Sequence, residues 1–231
     1  MSHYAVAVFT NTDSAYEIDS LMEPYSESDE RYFTFHPIDI EEEKERYKTF
    51  LADNPDSNYS FAEYLDYSGY KKQDDQYGAY YNNDATYDYY TIDGRDYMYE
   101  PKPGEKLEDG QQFYRKNQLD FLHVDQEDLK EQTEFWENFV ENKKKNTNSY
   151  FKREYYLERY GTKEQFVKEA TYNVPYAFVT PDGVWHAPGK VGWFACSDET
   201  KESFNAYLDE WLKYILDTST NPFVSILDCH I

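Results

Sequence analysis

Apolar residues near the start of the chain follow first a strand period and then a helix period. The run "HYAVAVFT" at residues 3–10 is rich in β-branched and aromatic residues, which predicts a strand. Within residues 15–25 the apolar positions fall on one helical face. Ser14 and Glu17 before them have the spacing of a capping box, and Pro24 is expected to end the helix. The chain is therefore predicted to open with a strand followed by a helix.

The C-terminal part of the chain has the complementary pattern. Residues 175–187 are typical of two strands joined by a Pro-Asp-Gly turn at 181–183, because Pro and Gly supply the backbone angles of a tight reversal. After a cap predicted at 197–198, apolar residues repeat at helical spacing between 204 and 215. The strand-like run "PFVSILDCH" follows at 222–230.

Both ends together give the order strand, helix, long middle, strand, strand, helix, strand. That order is the split βαβ unit of ferredoxin-like α+β folds. We therefore predict a ferredoxin-like βαββαβ sheet layer made of residues 1–25 and 174–231, with antiparallel strand order 4-1-3-2. Residues 26–173 are predicted to be a large acidic, tyrosine-rich and mainly helical insertion after the first helix. Within it, residues 54–118 show no clean period and are expected to be loops with one or two short helices or strands.

The charge of the chain narrows the functions it can have. Its 231 residues include 46 acidic and 23 basic ones, a formal net charge of -23, and most of the acid lies in the first 142 positions. Nucleic-acid affinity rests largely on Lys and Arg at phosphates, so direct nucleic-acid binding is disfavoured. Two interpretations stay open: an acidic solvated surface, or a surface that imitates a polyanion and occupies a basic groove on another protein. The 26 tyrosines argue against disorder of the acidic part.

Cysteine content and hydropathy predict the compartment. Cys196 and Cys229 are too few for a disulfide framework. The sequence shows neither a basic-then-apolar leader nor an apolar run of membrane-spanning length. We expect a soluble protein of a reducing cytoplasm, with no membrane partner.

Five short motifs occur along the chain: "SHYAVAV", "LMEPYSE", "NNDATYDYYTIDGR", "DGVWHAPGKVGWF" and "LDCHI". In this order they resemble a family of uncharacterised tailed-phage and prophage proteins. That family usually has tryptophans at the positions of Tyr87, Tyr89 and Asp96, a lysine at Thr86 and a glycine at Asp93. The substitutions keep an aromatic ring, add acid or remove a base, so this member is shifted toward a negative surface. The resemblance implies a phage protein acting in the host cytoplasm, and no particular chemistry.

The predicted sheet would bring three chemically capable residues to one edge. In the 4-1-3-2 order the start of the first strand, with His3, lies beside the ends of the third and fourth strands, with His186 and Cys229. Imidazole and thiolate bind zinc or form nucleophilic sites, so these three are the candidate catalytic residues. Neighbouring strand residues point to opposite faces, so Cys229 and His230 are not expected to share a partner. The structural alternative is a buried cysteine with histidines hydrogen-bonded at a sheet edge.

A tyrosine-dense stretch at residues 82–100 and two tryptophans supply the candidate binding surface. Tyrosine offers a large rigid contact area with a polar tip, which suits the anchors of protein interfaces. The same pattern is equally typical of one amphipathic strand on a core. The candidate binding residues are Tyr87, Tyr89, Tyr90, Asp93, Arg95, Asp96, Trp185 and Trp193.

The leading interpretation is a phage- or prophage-encoded acidic protein that inhibits a host defence or nucleic-acid-handling protein. It would occlude a basic surface of that partner, as a DNA mimic does, and would need no cofactor and no metal ligands. The sequence lacks GxSxG, HExxH and nucleotide-binding fingerprints, and this favours a protein without enzymatic activity. Two alternatives stay open: a small metal- or thiol-dependent enzyme acting on a nucleotide or other small molecule, and a self-associating structural or regulatory protein.

Overall fold

The computed structural model describes residues 3–92, 99–108, 110–144, 149–192 and 196–231. The fold is α+β. Its helices are α1 (Ala15–Met22), α2 (Ile40–Asp53), α3 (Phe61–Tyr67), α4 (Gln126–Phe135), α5 (Arg153–Arg159), α6 (Lys163–Thr171) and α7 (Lys201–Leu216). Its strands are β1 (His3–Thr10), β2 (Thr34–Pro37), β3 (Lys71–Gln73), β4 (Gln76–Tyr81), β5 (Tyr89–Ile92), β6 (Glu100–Pro101), β7 (Tyr114–Arg115), β8 (Leu119–Asp120), β9 (Ala177–Val179), β10 (Trp185–His186) and β11 (Phe223–His230).

The chain forms two compact units. The first contains the described residues of Met1–Met22 and Tyr87–Ile231, and the second is Glu23–Thr86. The first unit is built on a six-stranded sheet with the order β10-β9-β1-β11-β5, in which β7 also pairs with β11. β1 and β11 are antiparallel along their whole length, from His3 opposite His230 to Thr10 opposite Phe223. These two strands therefore form the middle of the sheet.

The strand order differs from the ferredoxin-like prediction. The predicted strands 1 to 4 correspond to β1, β9, β10 and β11. They lie in the order 3-2-1-4 rather than 4-1-3-2, because β9 lies directly beside β1 and β10 is at the edge. β9 is also parallel to β1, whereas the prediction required an antiparallel neighbour. Parallel pairing needs a long crossover connection, and the helix-containing chain between β1 and β9 supplies one. The predicted antiparallel pairing of the first strand with the fourth is confirmed as β1 with β11, whereas the neighbours predicted for the second and third strands are wrong.

The range 26–173, predicted as a mainly helical insertion, contributes both strands and core residues to the first unit. β5 and β7 pair with β11 on the side that β1 leaves open. Tyr99, Tyr114, Leu119 and Phe121 are buried in the same hydrophobic cluster as α7. A central strand needs a hydrogen-bonding partner on each side, and this part of the chain provides the second partner of β11. The predicted boundary at residue 174 therefore does not separate the sheet from the rest of the chain.

Helix α7 covers one face of the sheet, and its predicted apolar stripe is confirmed. Tyr207, Leu208 and Trp211 are buried. They belong to one cluster with Phe9 of β1 and Phe178 of β9. The rings of Phe178 and Trp211 have centroids 5.4 Å apart with their planes at 55°, a separation typical of favourable aromatic pairs. Burial of these large side chains is the main stabilising contribution to this layer.

Local helix signals are confirmed in part: α1 forms, but the Glu17 carboxylate accepts from the backbone amides of Asn11 and Thr12 instead of closing the predicted capping box with Ser14. The Thr162 side chain caps α6 by accepting from the Gln165 amide at 3.2 Å, and Gly161 before it has a φ of +75°, which suits glycine. Helix α7 starts later than predicted, after Thr200, which forms a capping box with Ser203. Cap residues are abundant in this segment, so the sequence alone could not choose between them.

The second unit contains an antiparallel sheet of order β2-β4-β3 together with α2 and α3. The Glu43 carboxylate of α2 is buried and accepts a hydrogen bond from the Tyr70 hydroxyl at 3.1 Å. The Asn82 side chain donates to the carbonyls of Pro24 and Ser26 at 2.8 and 2.9 Å. The two hydrogen bonds of Asn82 connect the beginning of the unit with its end.

Lys116 is a buried cation beneath the end of α7. Its Nζ donates to the carbonyls of Tyr214 and Asp217 at 3.1 and 2.6 Å. The last carbonyls of a helix lack intrahelical donors, and a cation there also suits the helix dipole. Burial lowers the pKa of Lys116, although the nearby Asp217 charge acts in the opposite direction.

We expect Lys116→Met to lower the free energy of unfolding by about 2 kcal/mol, because two partly buried carbonyls at the end of α7 lose a charged donor. The control is Lys130→Met, since Lys130 is exposed on α4. That change should alter the free energy of unfolding by less than about 0.5 kcal/mol. Urea unfolding followed by circular dichroism measures both, and equal losses in the two variants would contradict the assignment.

Candidate functional site

The start of β1 and the end of β11 bring two histidines and a carboxylate together. His3 lies opposite His230 in the strand register, and their ring centroids are 3.8 Å apart. Asp228 is on the same face, and its Oδ2 lies 3.0 Å from His3 Nδ1. Directly opposite residues, and residues two apart on one strand, share a face of a sheet. We call His3, Asp228 and His230 the histidine edge.

The histidine edge is open to solvent on one side only. The side chain of His3 is 44% exposed and that of Asp228 17%, whereas that of His230 is 8% exposed. The potential ligand atoms of the three residues all lie within 4.8 Å of one another. His230 Nε2 is 3.9 Å from Asp228 Oδ2, which is too long for a hydrogen bond. Tyr89 of β5 stacks on His230 with centroids 3.9 Å apart and limits its ring movement.

His186 lies away from this edge, contrary to the prediction. It pairs with Phe178 in the β9–β10 hairpin, and the two rings stack with centroids 4.4 Å apart. Its Nδ1 is 3.0 Å from Glu210 Oε2 on α7. The register places Phe178 level with Ala7, so His186 is four residues farther along the sheet than His3 and two strands away. The predicted convergence depended on the strand order that the structure does not have.

Cys229 is fully buried on the opposite face of the sheet from His3. Burial raises the pKa of its thiol well above the ordinary value, and the negative charges of Asp228 and Asp88 act in the same direction. The thiolate is the reactive form of cysteine, so this thiol is a poor nucleophile and a poor metal ligand. The structure therefore does not assemble His3, His186 and Cys229 into one site.

The three candidate tyrosines do not form one binding platform. Tyr87 is buried and donates to the Met22 carbonyl at 3.1 Å. Tyr90 donates to the Asp19 carboxylate, and burial with this hydrogen bond raises its pKa. Tyr89 points to the other face of β5 and is 44% exposed. Tyr87 and Tyr90 thus follow the alternative of an amphipathic strand on a core.

The remaining candidate binding residues are only partly described. Trp185 is half-buried in β10 and pairs with Val179 of β9. Asp93, Arg95, Asp96 and Trp193 lie outside the described residues.

A pocket that the sequence analysis missed lies in the second unit, between the end of α2 and the start of α3. Its volume is about 780 Å³. The rings of Phe50, Tyr59 and Tyr67 form an aromatic cluster in this pocket, and their centroids are 5.6 to 6.1 Å apart. The lining residues are Phe50, Asp53, Asn54, Pro55, Asp56, Ser57, Asn58, Tyr59, Glu63 and Tyr67. We call this cavity the acidic–aromatic pocket.

The acidic–aromatic pocket combines carboxylates with exposed ring surface. Asp53, Asp56 and Glu63 line it, and none of its lining residues is basic. Hydrogen bonds from Ser60 hold the pKa of Glu63 below its usual value, so Glu63 is charged at neutral pH. Tyr67 is 67% exposed. Because carboxylates and aromatic faces both attract cations, the pocket suits a lysine or arginine side chain or another organic cation.

One sequence signal could have indicated this pocket. The segment "IEEEKERYKTFLAD" has the i, i+4 charge spacing of an ordinary solvated helix, and in the structure it forms α2. Its last turn has no basic residue, and its last residue is Asp53. An acid at a helix C-terminus is unfavourable because it faces the negative end of the helix dipole. Asp56 and the nearby Tyr59 add acid and ring surface to the same point.

We expect the two cysteines to differ strongly in reactivity. Cys196 is exposed, whereas Cys229 is buried and its thiol has a raised pKa. A thiol-specific reagent at neutral pH should label Cys196 rapidly in the native protein and label Cys229 only after unfolding. Mass spectrometry of the labelled peptides measures this, with Cys196→Ser as the control. Rapid labelling of that variant in the native state would show that Cys229 is accessible.

Comparison with known proteins provides no relative that could guide the interpretation. No protein-family model matches the chain, and no curated protein and no solved structure matches it either. Over the described ranges, none of the helices combines the length and apolar character that crossing a bilayer requires. The functional interpretation therefore rests on the geometry of the chain itself.

Proposed function

We propose that this protein is a phage- or prophage-encoded interaction protein that inhibits a host defence or nucleic-acid-handling protein by occluding its basic surface. It would act in the cytoplasm of the host cell. The observation that carries the proposal is the acidic–aromatic pocket, in which three carboxylates surround three rings and no lining residue is basic. A protein that binds phosphates presents Lys and Arg, and these are the side chains that this pocket suits.

The pocket would act as the anchor of the complex. The apolar stem of a lysine or arginine would lie against the rings of Phe50 and Tyr67, and its charged head would meet Asp53 and Asp56. Partly desolvated anchors of this kind dominate the energy of many protein interfaces. The net charge of -23 would increase the rate of encounter with a basic partner, and added salt would weaken that attraction.

The position of Asp53 supports a role in binding. At the C-terminal end of α2 its charge is unfavourable for the helix. The same charge is favourable for a cation bound beside Phe50. Residues that lower stability while favouring a ligand are expected at functional sites. A surface that is acidic only for solubility gives no reason to place an acid at this helix end.

The enzyme alternative has less support from the geometry. A thiol-dependent site needs an ionised and accessible cysteine, and Cys229 is buried with a raised pKa. His3 and His186 contact different carboxylates, Asp228 and Glu210, in different parts of the sheet.

The first test is the double variant Asp53→Asn, Asp56→Asn. Wild-type protein would be used at low salt to capture a host protein, and the captured protein would be tested for binding to duplex DNA by fluorescence anisotropy. We expect wild-type protein to displace the DNA and the double variant to bind its target at least about tenfold more weakly, because two charges of the anchor are lost. The variant itself should be slightly more stable, by about 0.3–1 kcal/mol, since Asp53 no longer opposes the α2 dipole.

The matched control is Asp74→Asn, Asp75→Asn, which removes the same charge from the same unit outside the pocket. Both residues have positive φ values, 46° and 65°, and asparagine tolerates that conformation. Asp75 forms an exposed ion pair with Lys72, and such a pair contributes little to stability. The control should bind and displace DNA as the wild type does. Equal weakening in both variants, or a captured protein that keeps its DNA, would contradict the proposal.

A further inference from the structure

We infer that the histidine edge binds a divalent transition-metal ion of the zinc class. His3 and His230 offer imidazole nitrogens, and Asp228 offers a carboxylate oxygen. Two nitrogens and one oxygen form a ligand set that zinc commonly takes in proteins. Three protein ligands leave one position of a four-coordinate ion for water or for a group of a bound molecule. The inference rests on residues other than those of the acidic–aromatic pocket.

The distances fit an ion with little rearrangement. Zinc lies about 2.0–2.2 Å from nitrogen and oxygen ligands, so ligand atoms around one ion are separated by roughly 3–4 Å. His3 Nδ1 is 3.0 Å from Asp228 Oδ2, and His230 Nε2 is 3.9 Å from the same oxygen. All three ligand atoms lie within 4.8 Å of one another. Binding would require the side chains to rotate until the three atoms face a common point.

An independent observation concerns His230. The residue is 6% exposed, and its Nδ1 is a buried atom without a hydrogen-bond partner in the part of the chain that the structure describes. A metal ion bound by Nε2 would not satisfy Nδ1, because the two nitrogens of an imidazole point in different directions. The atom that bears on the site is therefore Nε2, which lies too far from Asp228 Oδ2 for a hydrogen bond. Together with its neighbours His3 and Asp228, it is the His230 atom available to an ion.

The strands hold the ligands in place before an ion arrives. His3 and His230 are directly opposite at the end of a continuous antiparallel ladder, and Asp228 is on the same face. The Tyr89 ring lies against His230 with an angle of 21° between the planes. Ligands held by regular strands and by packing lose little freedom when a ligand binds. The competing explanation is a simple hydrogen bond between His3 and Asp228, which gives His230 no role.

The test uses the untagged full-length chain after treatment with a chelator. Isothermal titration with zinc chloride should show one ion bound per chain, and cobalt chloride should produce visible absorption bands of a bound ion. His3→Ala and Asp228→Asn should each weaken zinc binding at least about tenfold, because each removes one of three ligands. His3 and Asp228 are suitable positions, since both side chains are polar and reach solvent, with 44% and 17% of their surface exposed.

Two matched variants serve as controls. His123→Ala removes an exposed histidine elsewhere, and Cys196→Ser removes the exposed thiol. Both should bind zinc as the wild type does, and zinc should raise the unfolding temperature of the controls more than that of His3→Ala. Zinc binding that persists unchanged in His3→Ala and Asp228→Asn, or that is lost in either control, would overturn the inference. Wild-type protein that binds no zinc would overturn it as well.

Discussion

The antiparallel pairing of β1 with β11 is the interaction on which the rest of the first unit depends. Each strand contributes eight residues, and every residue of β1 has a partner on β11. Because side chains alternate between the faces of a sheet, a shift of one residue would turn one strand over relative to the other and move either Phe9 or Ile226 out of the core that α7 covers. The same shift would separate His3 from His230. One register therefore fixes both the hydrophobic core and the histidine edge, and the core supplies the free energy that keeps the polar edge in place.

The two candidate sites differ in how they are held. The histidine edge belongs to regular strands, so its ligands are fixed by the same hydrogen bonds as the sheet. The acidic–aromatic pocket lies where α2 ends and α3 begins, and the Ser60–Glu63 capping box orients one of its carboxylates. A rigid edge with nitrogen and oxygen ligands suits an ion, whereas an open pocket of rings and carboxylates suits a flexible organic cation. Both proposed sites would thus take positively charged ligands, which is consistent with the strongly acidic composition of the chain.

The sequence predicted local structure better than long-range pairing. Helix α7, the β9–β10 hairpin and the terminal strands could be predicted, because their apolar periods and turn residues act within a few positions. The full strand order could not be predicted, since the choice of β9 as the neighbour of β1 depends on a crossover that periodicity does not report.

The adjacency of His3 and His230 could be predicted, because it needs only the pairing of the two terminal strands. The separate position of His186 could not, because it depends on the location of β10 at the edge of the sheet. Strand β5 could be predicted only as one of two alternatives, because its alternation is carried by tyrosines, which are compatible with either face. The acidic–aromatic pocket was missed because Phe50 and Tyr67 come together only when α2 and α3 pack.

The central claim is that the paired terminal strands form the most stable element of the first unit and hold both its core and its histidine edge. Native-state hydrogen exchange of the backbone amides, resolved by residue, tests this most directly. The account predicts that the central amides of β1 and β11 exchange most slowly and with a common free energy, equal to that of global unfolding. If these amides exchange as fast as those of the terminal turns of α5, the pairing of β1 with β11 is not the constraint that organises the fold.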